Sequence, residues 1–183
     1  RTVSSAASDV YKRQIISNWD SSMSQLDDYD GIIVAPATRN TISKHVNGII
    51  DSPVMMALSA ARGKDTPLIF VPSMHSDLFD DPVTSEILSQ LSSEGSHVII
   101  DQEKEGKIKQ PSHIRIVAEF SNILNSDLPN RKRIAITLGS NIAPVDDVRS
   151  IINHSTGTTG WSISEYLYRM GHDVFCVAGR TNY

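Results

Sequence analysis

Cysteine is almost missing from this 183-residue chain, in which Cys176 stands alone. One thiol excludes an internal disulfide and any multi-cysteine metal site, and it suits a reducing cytoplasm, the expected location. Within "DVFCVAG" it reads as a buried strand residue. Long apolar runs are missing as well. None reaches the roughly 18 to 20 residues of a membrane-crossing helix, while a hydrophobic content of 39% is enough for a core, so a soluble globular protein is expected. Positive charge is not in excess either, the formal net charge being −4. A nucleic-acid surface would have to be local, and the one basic cluster, Arg131-Lys132-Arg133, is short enough to be the solvated start of a strand. Neither nucleic acid nor membrane is an expected partner. The first fourteen residues, "RTVSSAASDVYKRQ", have the wrong charge order for a secretory signal and no apolar stretch behind it. They read as a non-native lead-in or a disordered tail, without chemistry.

What is there begins near Tyr29. "GIIVAPA" (31–37) is a short apolar run ending in Pro and Ala, the pattern of a buried strand. "NTISKHVNGIIDSPVMMALSAARG" (40–63) reads as two helical pieces broken near Asp51-Ser52-Pro53, with Gly63 as C-cap. "TPLIFVP" (66–72) is a second strand, and "DPVTSEILSQLSSEG" (81–95) a helix started by Pro82 and stopped by Gly95. "HVII" (97–100) is a third strand, and residues 110–125 form a helix by their apolar spacing. The polar stretch 126–133 interrupts this rhythm, after which "RIAITLG" (133–139) opens a strand-loop-helix-strand unit closed by "DVFCVAG" (173–179). Strands alternating with helices through short loops predict right-handed βαβ units and a parallel, doubly wound α/β sheet. The predicted organisation is a first domain over 15–126, a linker at 127–131 and a second domain from 132 to 183.

Parallel sheets hold ligands at the carboxyl ends of their strands. After the first strand, "APATRNT" puts Pro36, Thr38, Asn40 and Thr41 at a helix start, where free backbone N–H groups suit a phosphate or carboxylate. Ordinary N-capping by Thr38 or Asn40 explains the same residues. After the second strand, "VPSMHSDLFDDP" offers Met74, His75 and Phe79 to a planar ligand, or else packs Met74 and Phe79 in the core and starts a helix at His75. The loop "NHSTGTTG" (153–160) is rich in Ser, Thr and Gly, which lets backbone approach phosphate closely, but it lacks the spacing of a G-x-G-x-x-G fingerprint.

Taken in order, these stretches resemble a known family. "YDGIIVAPATRNTISKHVNGIIDSPV" followed by "PLIFVPSMHSDLFDDP" is similar to the flavin-binding half of bifunctional phosphopantothenoylcysteine decarboxylase/phosphopantothenate–cysteine ligases of coenzyme A biosynthesis, which read A-P-A-[TS]-A-N-T and then P-x-M-[NH]. The Met-His form looks archaeal. "TLGSNIAPVDDVRSIINHSTGTTG" (137–160) resembles the opening of their ligase half. The resemblance implies a Rossmann-like flavoprotein fold, its C-terminal part here, followed by the first βαβ unit of a second Rossmann-like domain. It implies FMN-dependent decarboxylation of 4′-phosphopantothenoylcysteine through a thioaldehyde to phosphopantetheine. It also implies ligation of 4′-phosphopantothenate with cysteine, with CTP as co-substrate and Mg²⁺ balancing the triphosphate. Carried over by motif position, Asn40 would hold the substrate carboxylate. Ala35, Pro36, Thr38, Thr41 and Met74 would lie near FMN, and Met74, His75 and Lys107 near the substrate. Asn153 would contact the acyl-cytidylate, with Gly139, Asp146, Arg149, Ser155 and Gly157 around the nucleotide. Asp146 and Arg149 are equally readable as an ion pair bridging loop and strand. No metal-ligand set is assigned. The family implies a homo-oligomer, built on flavoprotein trimers and ligase dimers.

The sequence departs from the family pattern in three places. The family's catalytic His and glycine-rich FMN loop precede the "IAPAT" position, whereas the first His here is His45. The flap that carries a Cys in bacterial members reads "EKEGKIKQP" (103–111), keeping Gly106, Lys107 and Pro111 without the Cys. The ligase S-S-G-K-M-G has become Ser155-Thr156-Gly157-Thr158-Thr159-Gly160, with no Lys to meet the triphosphate. A junction fragment, inactive by itself in both reactions, is therefore expected. Three other readings compete: a non-catalytic FMN-binding regulatory subunit, another FMN enzyme such as a prenyltransferase, and an NAD-type Rossmann protein.

Overall fold

The computed structural model describes residues 29–101, 103–104, 107–108 and 110–181, without the side chains of 103, 104, 107 and 108. The lead-in 1–14, Gly106 and the side chain of Lys107 lie outside the described residues. Two compact units divide between Pro111 and Ser112.

The first unit is a parallel sheet with helical crossovers. Strand β1 (Ile32–Ala37) leads through α1 (Arg39–Val46) and α2 (Pro53–Gly63) to β2 (Leu68–Pro72). The chain then forms β3 (Met74–His75), α3 (Ser76–Phe79) and α4 (Pro82–Ser93) before β4 (His97–Val98). β2 lies between β1 and β4 and is parallel to both. That central position explains why "LIFVP" can be apolar throughout: all five residues are buried, with neighbours on both edges. Ile42 and Val46 of α1, Met55 and Leu58 of α2, and Ile87 and Leu91 of α4 close over Phe70 and Leu68 to form the core. Each such side chain contributes about 1.5–3 kcal/mol on full burial.

Local chemistry sets the helix limits. Thr38 and Ser52 cap α1 and α2 by accepting the N–H groups of Thr41 and Met55, and Asp81 caps α4 by accepting that of Val83. Pro53 and Pro82 occupy first-turn positions, where a missing N–H costs nothing. Gly63, expected as a C-cap, is instead the last helical residue, and Lys64 takes the cap with Asp65 in the left-handed region. Two-residue strands β5 (Glu103–Lys104) and β6 (Lys107–Ile108) join β3 in a small antiparallel sheet, too short for any sequence periodicity to announce.

The second unit starts with α5 (His113–Asn125), followed by β7 (Arg133–Leu138), β8 (Ile142–Pro144), β9 (Ser150–Ile152), α6 (Thr158–Arg169) and β10 (Asp173–Ala178). β7 and β10 pair in parallel over six residues, from Arg133–Asp173 to Leu138–Ala178. Their residues alternate in exposure, with Ile134, Ile136, Leu138, Val174 and Cys176 on the half-buried side. Cys176, expected to be buried, is only half-buried and its thiol donates to Ser164 Oγ at 3.1 Å. α5 is fastened to α6 by side chains. Asn122 donates to the carbonyl of Tyr168 (2.7 Å), Asn125 to that of Arg169 (2.8 Å), and Tyr168 Oη to Glu119 (2.6 Å). α5, which the predicted organisation counts with the first domain, makes these contacts with α6 in the second compact unit. Among the described residues, no helix is long and apolar enough to cross a membrane.

Candidate functional site

Two strand-end sites carry the residues singled out by sequence, one in each unit. In the first, β1 ends at Ala35-Pro36-Ala37, where its pairing with β2 shifts register between Val34 and Ala37. Thr38 then turns the chain into α1. Its Oγ1 accepts the N–H of Thr41 at 3.2 Å and lies 3.0 Å from Thr41 Oγ1, so both threonines serve the cap. Arg39 and Asn40 follow in the first turn, whose early N–H groups have no partner inside a helix. Among the described residues, no side-chain hydrogen bond engages Asn40. Ala35 and Pro36 also border an apolar cleft of about 500 Å³ that continues along β1 to Pro53, Val54, Ala57 and Leu58 of α2.

The segment after β2 meets this helix start. Ser73 N–H donates to the carbonyl of Ala37 at 3.2 Å. Met74, 8% exposed, and Phe79 pack against the core, so the thioether faces inward, while the neighbouring His75 is exposed. His75 sits at the N-cap position of α3 without a side-chain cap bond. Its backbone pairs with Lys107 across β3 and β6, which puts those two positions side by side.

Sequence reading passed over one buried group here. His45 of α1 is 2% exposed, its ring lies 5.2 Å from that of Phe70, and neither ring nitrogen has a hydrogen-bond partner among the described residues. Burial, reinforced by the neighbouring Arg62 charge, holds its pKa below 6.5. Arg62 donates to the His45 carbonyl at 3.0 Å and pairs with Glu94. In the sequence, His45 simply continues the apolar stripe of Ile42 and Val46.

The second site is a cleft of about 350 Å³ between the end of β7 (Thr137, Leu138, Gly139) and the start of α6 (Ser155 to Gly160). Gly157 caps α6 in the left-handed region, at φ 77°, and a Cβ there would come 2.8 Å from Thr181 Cγ2. Gly160 faces the strand so closely that a Cβ would collide with the Leu138 side chain. These two glycines let the helix start lie against the strand end. Ser155 and Thr156 hydroxyls accept the N–H groups of Gly157 and Thr158, both at 3.4 Å. Asn153 closes the loop: its Oδ1 accepts the N–H of Asn141 at 2.6 Å, which leaves Nδ2 as the donor it can offer.

β8 and β9 form an antiparallel hairpin that the sequence did not reveal. Its turn is held by Asp146, which accepts the N–H groups of Val148 (3.0 Å) and Arg149 (2.7 Å) and the Arg149 guanidinium at 2.6 Å. Those bonds, the guanidinium foremost, hold the Asp146 carboxyl below the usual range. Asp146 and Arg149 therefore meet each other, as in the ion-pair reading of them. Among the described residues, no group of three or more His, Cys, Asp or Glu is arranged to hold a metal.

Parallel βαβ units with ligand-sized clefts at their strand ends place the chain among the Rossmann-like α/β proteins. It belongs to the flavoprotein family, which residues 3–125 match, and residues 130–183 match the DNA/pantothenate metabolism flavoprotein C-terminal domain. A coenzyme A biosynthesis bifunctional protein CoaBC from Thermococcus kodakarensis is 33% identical over 153 residues, 84% of this chain and 38% of that protein. A cysteine/cysteine sulfinic acid decarboxylase from an unknown prokaryotic organism is 32% identical over 161 residues, 82% of this chain and 44% of its own length. The chain thus spans less than half the length of these curated relatives. Among solved structures, the FMN-dependent cysteine decarboxylase SpaF superposes with a TM-score of 0.50 at 19% identity, over 61% of this chain and 66% of that one, a likeness of fold.

Proposed function

We propose that this chain is part of a bifunctional enzyme of coenzyme A biosynthesis. Its first unit serves FMN-dependent decarboxylation of 4′-phosphopantothenoylcysteine, and its second serves CTP-dependent joining of 4′-phosphopantothenate to cysteine. One observation carries the reading: a flavoprotein match ending at 125 is followed directly, in the same chain, by a pantothenate-metabolism match from 130. A stand-alone regulatory subunit or a prenyltransferase has no use for the second segment.

The residues present fit FMN in two respects: the cleft beside Ala35 and Pro36 is apolar and large enough for a flat ring, and the capped start of α1 follows Pro36 closely in the chain, at Thr38. When bound, FMN supplies two-electron redox chemistry at the substrate's cysteinyl thiol, which makes loss of the adjacent carboxylate as CO₂ feasible. The chain's own side chains bind and orient. Thr38 and Thr41 hold the helix start toward a phosphate or carboxylate, Asn40 offers an amide donor to the substrate carboxylate, and His75 faces the rest of the substrate, with the Lys107 position beside it in the strand pairing. In the second unit, Asn153 Nδ2 donates to the acyl-nucleotide. Gly139, Ser155 and Gly157 bring backbone close to its phosphates, and Asp146 with Arg149 stiffens the hairpin beside them. Any Mg²⁺ would come with the nucleotide. A homo-oligomeric assembly in the cytoplasm is part of the same reading.

The 32% identical cysteine/cysteine sulfinic acid decarboxylase favours a second reading, decarboxylation of a smaller cysteine derivative. Titrating the chain into FMN while following flavin fluorescence, and into radiolabelled CTP by equilibrium dialysis, separates the readings. Both ligands should bind. FMN without CTP would favour the second reading, and binding of neither would overturn both.

A further inference from the structure

The segment that carries Met74 and His75 is fastened at both of its ends to residues flanking a single helix cap. At its start, Ser73 N–H donates to the carbonyl of Ala37 at 3.2 Å. At its end, Asp81 Oδ2 lies 2.8 Å from the Arg39 guanidinium in a partly buried pair. Ala37 and Arg39 are the neighbours of Thr38, the cap of α1, and Arg39 immediately precedes Asn40. Asp81 has a second duty, since its Oδ1 accepts the N–H of Val83 at the start of α4. Buried Thr84 ties the excursion down from inside by donating to the carbonyl of Leu78 at 2.5 Å. The family pattern to which this stretch is similar has Ala where Arg39 stands.

We propose that Arg39 is a positioning residue. Through Asp81 it latches residues 73–81 onto the first turn of α1, so that His75 is held in fixed relation to Asn40. An ion pair between side chains about a quarter and a third exposed adds little to global stability. It acts locally, on a nine-residue excursion that the core packing of Met74 and Phe79 holds from inside and that the pair ties to the first turn of α1 from outside. The functional half of the proposal rests on the reading of Asn40 and His75 as substrate-facing.

Hydrogen exchange on the full chain tests the latch without any ligand. Asp81→Asn keeps a good helix cap and removes the charge, while Arg39→Gln removes the other partner. Both should raise amide exchange across 74–80 by about two- to fivefold, the factor such a pair supplies, with α4 protection and Tm little changed. Arg39→Lys should restore most of the protection. In the FMN-loaded chain, the same variants should weaken binding of 4′-phosphopantothenoylcysteine by a similar factor and leave FMN affinity unchanged. Unaltered exchange at 74–80 in both variants would overturn the latch. Altered exchange with unaltered substrate affinity would overturn the positioning role, and a wild-type chain that binds no substrate would instead sink the reading of the site while leaving the latch standing.

Discussion

The side-chain oxygen of Asn153 accepts the backbone N–H of Asn141 across 2.6 Å, joining the loop after β9 to the loop after β7. Half of the carboxamide is committed to structure and half is left for a ligand. Asn153→Asp keeps the acceptor and deletes the donor, whereas Asn153→Ala deletes both. Each should weaken CTP binding roughly ten- to hundredfold, the factor for a lost hydrogen bond to a charged group. Hydrogen exchange at Asn141 should rise only in the alanine variant. Equal effects on exchange would argue against this division of labour.

Asn40 invites the corresponding test in the first unit. Asn40→Ala should weaken substrate binding to the FMN-loaded chain about ten- to hundredfold, without moving Tm, since the side-chain cap of α1 is made by Thr38 with Thr41 and not by Asn40. Calorimetric titration with 4′-phosphopantothenoylcysteine gives the number. An unchanged affinity would transfer the carboxylate-binding role elsewhere, with His75 next in line.

Burial and the Arg62 charge lower the pKa of His45, so the unfolded chain takes up its proton first as pH falls. The contribution that this group makes to the stability of the first unit is therefore fully present above pH 6.5 and is lost as pH falls from there toward the lowered folded-state value. His45→Leu removes the titration and two unpartnered ring nitrogens. Urea unfolding should show a variant more stable by about 1–3 kcal/mol at neutral pH, with a flatter profile between pH 6.5 and 5. A variant as acid-sensitive as the parent would clear His45 of this role.

Gly160 lies against Leu138, and a methyl group there has nowhere to go. Gly160→Ala should cost about 1–3 kcal/mol by overpacking. Adding Leu138→Ala should recover part of that loss, a non-additivity that a double-mutant cycle in urea measures. Strict additivity would mean that the two residues do not meet.

The α5–α6 clasp predicts that Asn122→Ala and Asn125→Ala each destabilise the second unit by about 0.5–1.5 kcal/mol, because carbonyls at the end of α6 lose their donors. Tyr168 is part of the same contact: burial, then its bond to Glu119, pushes its pKa up to about 12. Spectrophotometric titration of Tyr168→Phe against the parent should remove a phenol that ionises late. If the phenol lost on substitution titrated near 10, Tyr168 would not be closed against Glu119.

Much of the architecture could be read before any coordinates. "TPLIFVP" announced β2 because a central parallel strand needs no polar face, whereas "GIIVAPA", read as a buried strand, forms a β1 that is only partly buried because it has a partner on one side alone among the described strands; Pro53 and Pro82 marked helix starts by their missing N–H. What escaped notice was set by contacts distant in sequence or by very short elements. The β8–β9 hairpin has three residues per strand and contains Pro144, too little for a period to show. Thr38 was legible as a cap, whereas Met74 read equally as ligand wall or core residue, a choice that only the packing around it decides in favour of the core. The partners of Asn122 lie 46 and 50 positions away, so the allegiance of α5 could not be seen in its own amphipathic spacing.

That allegiance bears on how such proteins can be recombined. A chimera spliced at residue 126 would pair α6 with a foreign helix whose residues at positions 122 and 125 need not be asparagine, leaving its terminal carbonyls bare. A crossover just before Ser112 would carry the helix along with the carbonyls it covers.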